Sequence, residues 1–292
     1  MHHIPVLLNE VLQVLDPKAK NKIIDATFGY GGHSEAILKK NSKCYITAID
    51  RDPTVKQKAE ELKNTYKNHF NFISGKFSDV INNLSERYDK VLFDFGVSSM
   101  QLDNAERGFS FSKEAKLDMR MSCDGLSAYD VVNDYSEKDL SEIIFRYGDE
   151  PNARKIAKAI VNSRHINTIK TTTDLRNIIV DVFGFEKIHK SHSNVDVATK
   201  TFQAIRIFVN DELREISTAL HALPNILNDN AIIITITFHA LEDRVVKYWA
   251  TNNSNFTLLP PGVVQPSYSE IKSNPRSRSA KLRGYSYKQK NA

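Results

Sequence analysis

The residues best placed to do chemistry are the ten of DATFGYGGHS, Asp25 to Ser34. They follow the apolar KII of Lys22 to Ile24, so a buried strand is expected to run into a glycine turn and then a helix. About twenty residues on, CYITAID reads as a second buried strand ending in Asp50. A strand, a glycine turn, a helix, a second strand and an acid at its tip make one half of a mononucleotide-binding unit. Glycines admit a ligand close to the backbone. The acid accepts hydrogen bonds from a ribose diol. The pattern points to an adenosine-containing ligand, against the alternative of a tight turn whose glycines serve packing only.

The spacing bears on which ligand. Gly29 and Gly31 fill the first two glycine positions of G-x-G-x-x-G, but the third holds Ser34. A pyrophosphate needs that close approach and a helix N-terminus aimed at it. No G-x-x-x-x-G-K is present in the stretch, which excludes a P-loop there. Adenosine without phosphates suggests S-adenosylmethionine. A nicotinamide oxidoreductase is disfavoured by Ser34.

The elements that must position such a site follow from periodicity. Strands are expected over Lys22–Phe28, Cys44–Asp50, Phe70–Phe77, Lys90–Gly96 and Ala231–Phe238, alternating with helices in a parallel, doubly wound α/β sheet. Asp52 and Pro53 mark the start of one helix and Ser78 the start of another. Ligands in such sheets sit beyond the carboxyl ends of the strands. The strand tips therefore supply the candidates: Gly29, Gly31, Gly32 and His33, then Asp50, Phe77, Asp94, and finally Thr237, Phe238 and His239. Phe77 reads equally as an adenine contact or a core ring, His33 as a helix cap, and His239 as a satisfied histidine at a strand end. Asp94 is harder to explain by structure alone, because a bare carboxylate inside an apolar strand needs a partner.

After Gly96 the alternation stops and helical patterns take over. SEKDLSEIIFRYG carries a possible capping box, Ser136 with Asp139. NARKIAKAIVNSRH is basic and amphipathic, and TTTDLRNIIVDVFG ends at Gly184. A long helix is expected over Val197–Ala222, with Phe202, Ile205, Leu213, Ile216 and Leu220 on its apolar stripe. The expected layout is residues 1–102 and 201–292 as one domain, with 103–200 a helical insertion for substrate recognition. The segment Asn104 to Met121 mixes Arg107, Phe109, Phe111, Asp118 and Arg120, which suits either a flipped base with its phosphate or a connecting loop whose rings pack inward.

Composition is that of an ordinary globular chain: 292 residues, 41% hydrophobic and 26% charged. The longest apolar run, Ala231 to Leu241, is too short to span a bilayer, and the amino terminus lacks the features of a signal peptide, so a cytoplasmic location is expected. Cys44 and Cys123 lack C-x-x-C spacing, which argues against zinc or a disulfide framework. The net charge of +5 is concentrated in residues 271–292, which hold seven basic residues and no acid. Tyr285 and Tyr287 interleave with Lys281, Arg283 and Lys288 there, a combination that suits phosphate binding with base stacking, or else an edge strand or frayed tail.

Taken in order, HHIPVLLNEV, DATFGYGGHS, AIDRDP, LFDFGVSSMQLDNAERGFSF, LDMRMS, TFQAIRIFVNDEL, TFHALEDRVVK and NPRSRSAKLR resemble the ribosomal RNA small subunit methyltransferase H family, also called MraW. The resemblance covers nearly the whole chain. It implies a class I (Rossmann-like) S-adenosylmethionine methyltransferase with a helical insertion, acting on the exocyclic N4 of a cytidine in the decoding region of 16S ribosomal RNA, within an assembled 30S particle. It further implies cofactor contacts from Gly31, Gly32, His33, Asp50, Phe77, Asp94 and Gln101; Gln101 rests on the resemblance alone. Tyr30, Ser122, Thr237 and Ala240 depart from the family's usual residues, and the last two weaken any catalytic role for a serine at the fifth strand. Asp94 and His239 are the candidate acceptors for the N4 amine. Two further readings remain: a DNA amino-methyltransferase, disfavoured because Asp94-Phe95-Gly96-Val97 replaces the usual Pro-Pro-aromatic loop, and a non-catalytic RNA-binding or assembly factor on the same fold.

Overall fold

The computed structural model describes residues 5–184 and 196–289. The chain divides into two compact units, Met1–Gly96 with Leu213–Ala292, and Val97–Glu212.

The first unit is built on one sheet. Its strands are β1 (Lys22–Asp25), β2 (Tyr45–Asp50), β3 (Phe70–Ser74), β4 (Tyr88–Asp94), β5 (Leu227–Thr237), β6 (Phe256–Val264) and β7 (Lys281–Tyr287), in the order β3-β2-β1-β4-β5-β7-β6. The first five run parallel, and β7 pairs antiparallel with both β5 and β6. Successive side chains alternate faces, so each central strand feeds two cores. Ile23, Leu92 and Ile234 face α1 (Leu8–Leu15), α2 (Gly32–Lys40) and α3 (Lys56–Tyr66). Ile24, Val91 and Ile233 face α4 (Phe77–Asn83) and the helices Glu212–Ile226 and Ala240–Thr251. The chain leaves β1 for β2 and β3 on one side, then returns to place β4 on the other. The tips of β1 and β4 therefore flank the topological switch point, where such sheets bind ligands.

One strand was not expected, and another was expected only as an edge strand, if not a tail. The segment TLLPPGVV lies in β6 despite its prolines, at an edge where missing N–H donors are tolerated. The basic carboxyl segment is not a frayed tail. It forms β7, inside the sheet, with Tyr285 and Tyr287 buried against Trp249 and Phe256. Those two rings are core, and burial pushes the Tyr285 hydroxyl up to about 12.

The second unit is helical: α5 (Ser99–Asp103), α6 (Ala128–Asp134), α7 (Glu137–Gly148), α8 (Ala153–Ile166), α9 (Thr172–Phe183) and α10 (Thr199–Asn210). It has its own core, including Leu140, Ile144, Ile156, Ile160, Leu175 and Ile205. Ser136 caps α7 by accepting from Asp139 N, and Ser127 and Thr171 form full capping boxes with Asp130 and Asp174. The insertion expected over 103–200 lies within this unit. The long helix expected over Val197–Ala222 is instead two, α10 and α11 (Glu212–Ile226), broken at Asp211 in the left-handed region (φ 52°). Aspartate tolerates that conformation better than most residues. Beside it, Asn210 is turned inward, its Nδ2 donating to Met119 O at 2.7 Å and its Oδ1 accepting from Met121 N at 2.8 Å.

Candidate active site

At the switch point the backbone weaves the strand tips together. Ala26 N donates to Leu92 O, Phe28 N to Ile49 O, and Phe95 N to Ile236 O. Thr27 Oγ1 accepts from Asp94 N at 2.7 Å, locking the tip of β4 to the start of the glycine turn. Within that turn Gly31 has φ +75°, and a β-carbon there would come 2.8 Å from Phe28 and Leu62. This glycine is thus demanded by the turn and by packing, and it caps α2.

Asp50 ends β2. Its Oδ2 accepts from Gly29 N at 2.7 Å and its Oδ1 from Asp52 N at 2.8 Å. Each oxygen keeps a second acceptor site, the arrangement a vicinal diol requires. Burial pushes the Asp50 carboxyl up to about 6, against the opposing pull of those two N–H groups.

His33, on the first turn of α2, is buried, and its Nε2 lies 3.5 Å from Asp94 Oδ2. Among the described residues, both imidazole nitrogens and Asp94 Oδ1 lack a hydrogen-bond partner. Asp25 lies buried below them, its Oδ2 accepting from Ser34 Oγ at 2.6 Å; burial raises its carboxyl above the usual range. Asp25, like Asp94, is an acid in an apolar strand that needs a partner, and it ends β1.

Phe77 is the first residue of α4, three positions beyond the end of β3. Its ring meets Phe93 edge-on at 5.8 Å and Phe95 at 6.2 Å, and it remains half-buried at the margin of the core. Gly32 lies inside α2 beside His33. Past β5, His239 caps α12 (Ala240–Thr251). Its Nδ1 accepts from Glu242 N and its Nε2 lies 3.1 Å from Glu242 Oε1. Glu242 is fully buried and accepts from Phe238 N and His239 N. The sequence signal for Glu242 was a capping box with histidine, rather than serine or threonine, in the first position.

Gln101 belongs to the second unit, where it closes a capping box: its Oε1 accepts from Ser98 N and its own N–H donates to Ser98 Oγ. The loop from Asn104 to Met121 also packs within that unit. Arg107 donates to the carbonyls of Arg120 and Met121, Arg120 forks onto Asp118, and Phe111 packs edge-on against Phe202. Gly108, at φ +67°, has no room for a β-carbon, which would lie 2.3 Å from Lys116 O.

The doubly wound sheet and its charged switch point define a class of nucleotide-type ligand sites, and comparison gives the family. The profile of the MraW methylase family matches residues 1–288. The ribosomal RNA small subunit methyltransferase H of Rickettsia canadensis (strain McKiel) is 44% identical, over 96% of this chain and 96% of that one. The protein of the same name from Rickettsia bellii (strain OSU 85-389) is 45% identical, over 96% of this chain and 97% of that one. An rRNA methylase structure from Streptococcus thermophilus shares 9% identity with a TM-score of 0.43, covering 97% of this chain and 94% of that one, a likeness too loose to add to these. The chain belongs to the MraW methylase family. Its methyl donor is S-adenosylmethionine, and the site fits that group: Asp50 offers two diol acceptors, and the partly buried Asp94 carboxyl and the buried His33 imidazole offer unused hydrogen-bonding capacity.

Proposed function

We propose that this chain methylates the exocyclic N4 of a cytidine in the decoding region of small-subunit ribosomal RNA, with the assembled small subunit as substrate, in the cytoplasm. The observation that carries the reading is the buried Asp94 Oδ1, unpartnered at the switch point of a methylase fold. Among the described residues no helix is long and apolar enough to cross a membrane.

When bound, S-adenosylmethionine supplies a methyl group on a sulfonium. The chain's own residues do the rest. Asp50 holds the ribose, with Gly31, Gly32 and Phe77 lining the turn and the adenine side. Asp94 and His33 supply the polar contacts for the amino-acid portion. Cytosine N4 is a weak nucleophile because its lone pair is delocalised into the ring, so an acceptor for its hydrogens assists the nitrogen to pyramidalise. Asp94 Oδ1 is the better acceptor of the two candidates, since His239 Nδ1 accepts from Glu242 N and the neutral ring then carries its hydrogen on Nε2. No strong base is needed, because the methylated nitrogen is acidic. Positioning is the larger contribution.

The test is to incubate the protein with methyl-labelled S-adenosylmethionine and small subunits from cells lacking this activity, then digest the RNA to nucleosides. Label in N4-methylcytidine is expected. Label in another nucleoside would overturn the substrate assignment. Tight cofactor binding with no label in the RNA would instead favour a binding or assembly factor.

A further inference from the structure

At the amino ends of β1, β2 and β3, opposite Asp50, an aromatic pair stands at the surface. Tyr45 opens β2 and His69 immediately precedes β3; their rings stack with centroids 4.8 Å apart and planes 22° from parallel. His69 Nδ1 lies 3.0 Å from Cys44 O, which fixes its ring. Tyr45 is 41% exposed although one of its faces lies against His69, so its solvent area is the other face and the edge.

Three exposed lysines stand next to the pair along the backbone. Lys20 N donates to Lys43 O at 2.8 Å, Lys43 is two residues from Tyr45, and Lys67 is two from His69. The neighbouring acids are engaged elsewhere: Asp16 pairs with Lys18, Glu86 with Lys22, and Asp89 accepts from Lys22 N, Asn21 and Asn228. Two of the lysines occupy backbone conformations that disfavour any side chain. Lys20 has φ 66°, and Lys67 has φ 50° with ψ −120°, the region glycine takes at the first central position of a type II′ turn. Strain kept at a charged residue, where glycine would relieve it, points to a use for the side chain.

An exposed aromatic face with basic residues along the neighbouring backbone is how proteins grip single-stranded nucleic acid. Resting on the ribosomal-RNA reading above, we propose that this end of the sheet is a second RNA contact. An unpaired base of the substrate stacks on Tyr45, and Lys20, Lys43 and Lys67 take the adjoining phosphates. The length of β2 puts this surface about 17 Å from Asp50, so it binds substrate without touching the transferred methyl group.

The full chain is titrated with small-subunit ribosomal RNA across a salt series, with methyl transfer measured in parallel. The variants are Lys20→Gly combined with Lys67→Gly, and separately Tyr45→Leu. The double glycine variant should melt higher than the parent yet bind RNA more weakly, with a log–log salt slope shallower by about 1.4. Tyr45→Leu should lower RNA affinity roughly tenfold. Both should raise KM and leave kcat unchanged. Unchanged RNA affinity and slope in these folded variants would overturn the second contact alone. A parent chain that binds no small-subunit RNA would overturn both this proposal and the substrate reading.

Discussion

The first unit holds two buried charged clusters that differ in one respect. Between β5, β7 and α12, Asp243 is surrounded: Arg283 Nη1 pairs with its Oδ1, and Lys247 and Lys281 approach its Oδ2 at 3.3 and 3.7 Å. Burial works to raise the Asp243 carboxyl, but these cations outweigh it and hold it below the usual range. At the β1–β4 switch point, His33 is buried and Asp94 is partly buried, and among the described residues both His33 ring nitrogens and the buried Asp94 Oδ1 have no hydrogen-bond partner. A buried ion pair whose members are satisfied joins elements together. A buried carboxylate with an idle oxygen accepts a desolvation cost that only a ligand can offset. Both clusters are acid-and-base pairs by composition; the partner count separates scaffold from site.

The largest effect should come from breaking the satisfied cluster. Arg283→Met leaves Asp243 buried without its main partner and should cost about 3–5 kcal/mol in urea unfolding. If stability is unchanged, Asp243 and Arg283 are not joined as described. Next, Asp50→Ala should weaken S-adenosylmethionine by roughly 1.5–3 kcal/mol, the range for hydrogen bonds to a charged group, while the protein stays folded. Unchanged affinity by calorimetry would remove Asp50 from the ribose.

The same carboxyl sets a pH dependence. Its folded value of about 6 lies above the ordinary 3.8, so in the free protein the native state binds more protons between those values. Stability from this group is therefore present at low pH and falls as pH rises through 6. Cofactor binding should run the other way, because a ribose diol donates to the ionised form. Affinity should decline below pH 6, with proton release on binding near that pH. Asp50→Asn should abolish the release; a parent protein that releases no proton contradicts the assignment. The smallest effect is expected at the exposed turn before β7. Arg276→Ser with Arg278→Ser should leave stability within about 0.5 kcal/mol. If both arginines meet RNA phosphates, the salt slope should fall by about 1.4. An unchanged slope would leave this segment purely structural.

The parallel half of the fold was legible because its strands are short apolar runs bounded by glycine and cap residues, and Asp50 and Asp94 stand at their tips. The strand ends were read too long at Phe28, Phe77 and Gly96, since apolar residues continue into turns that carry the site. The antiparallel half was legible only as an edge strand or tail, not as a strand inside the sheet. In KLRGYSY the charge of Arg283 is cancelled by Asp243, forty residues away, and local sequence carries no sign of that pairing. The break at Asp211 escaped notice for a similar reason: the apolar stripe runs on, and what favours the kink is Asn210 bonding to Met119 and Met121, some ninety residues earlier in the chain. Asp25 and Glu242 were visible as residues, but their roles as buried anchors depend on contacts with Ser34 Oγ and with Phe238 N.

The difference between the two clusters is tested most directly by titrating S-adenosylmethionine into Asp94→Asn by calorimetry, with thermal melting of the free protein alongside. Affinity should fall at least tenfold while the free variant melts no lower than the parent, because Asp94 Oδ1 has no hydrogen-bond partner among the described residues and Oδ2 has only the long 3.5 Å contact with His33 Nε2. Parental affinity, or a melting temperature reduced as far as that of Arg283→Met, would show that Asp94 serves the scaffold and that the ligand site lies elsewhere.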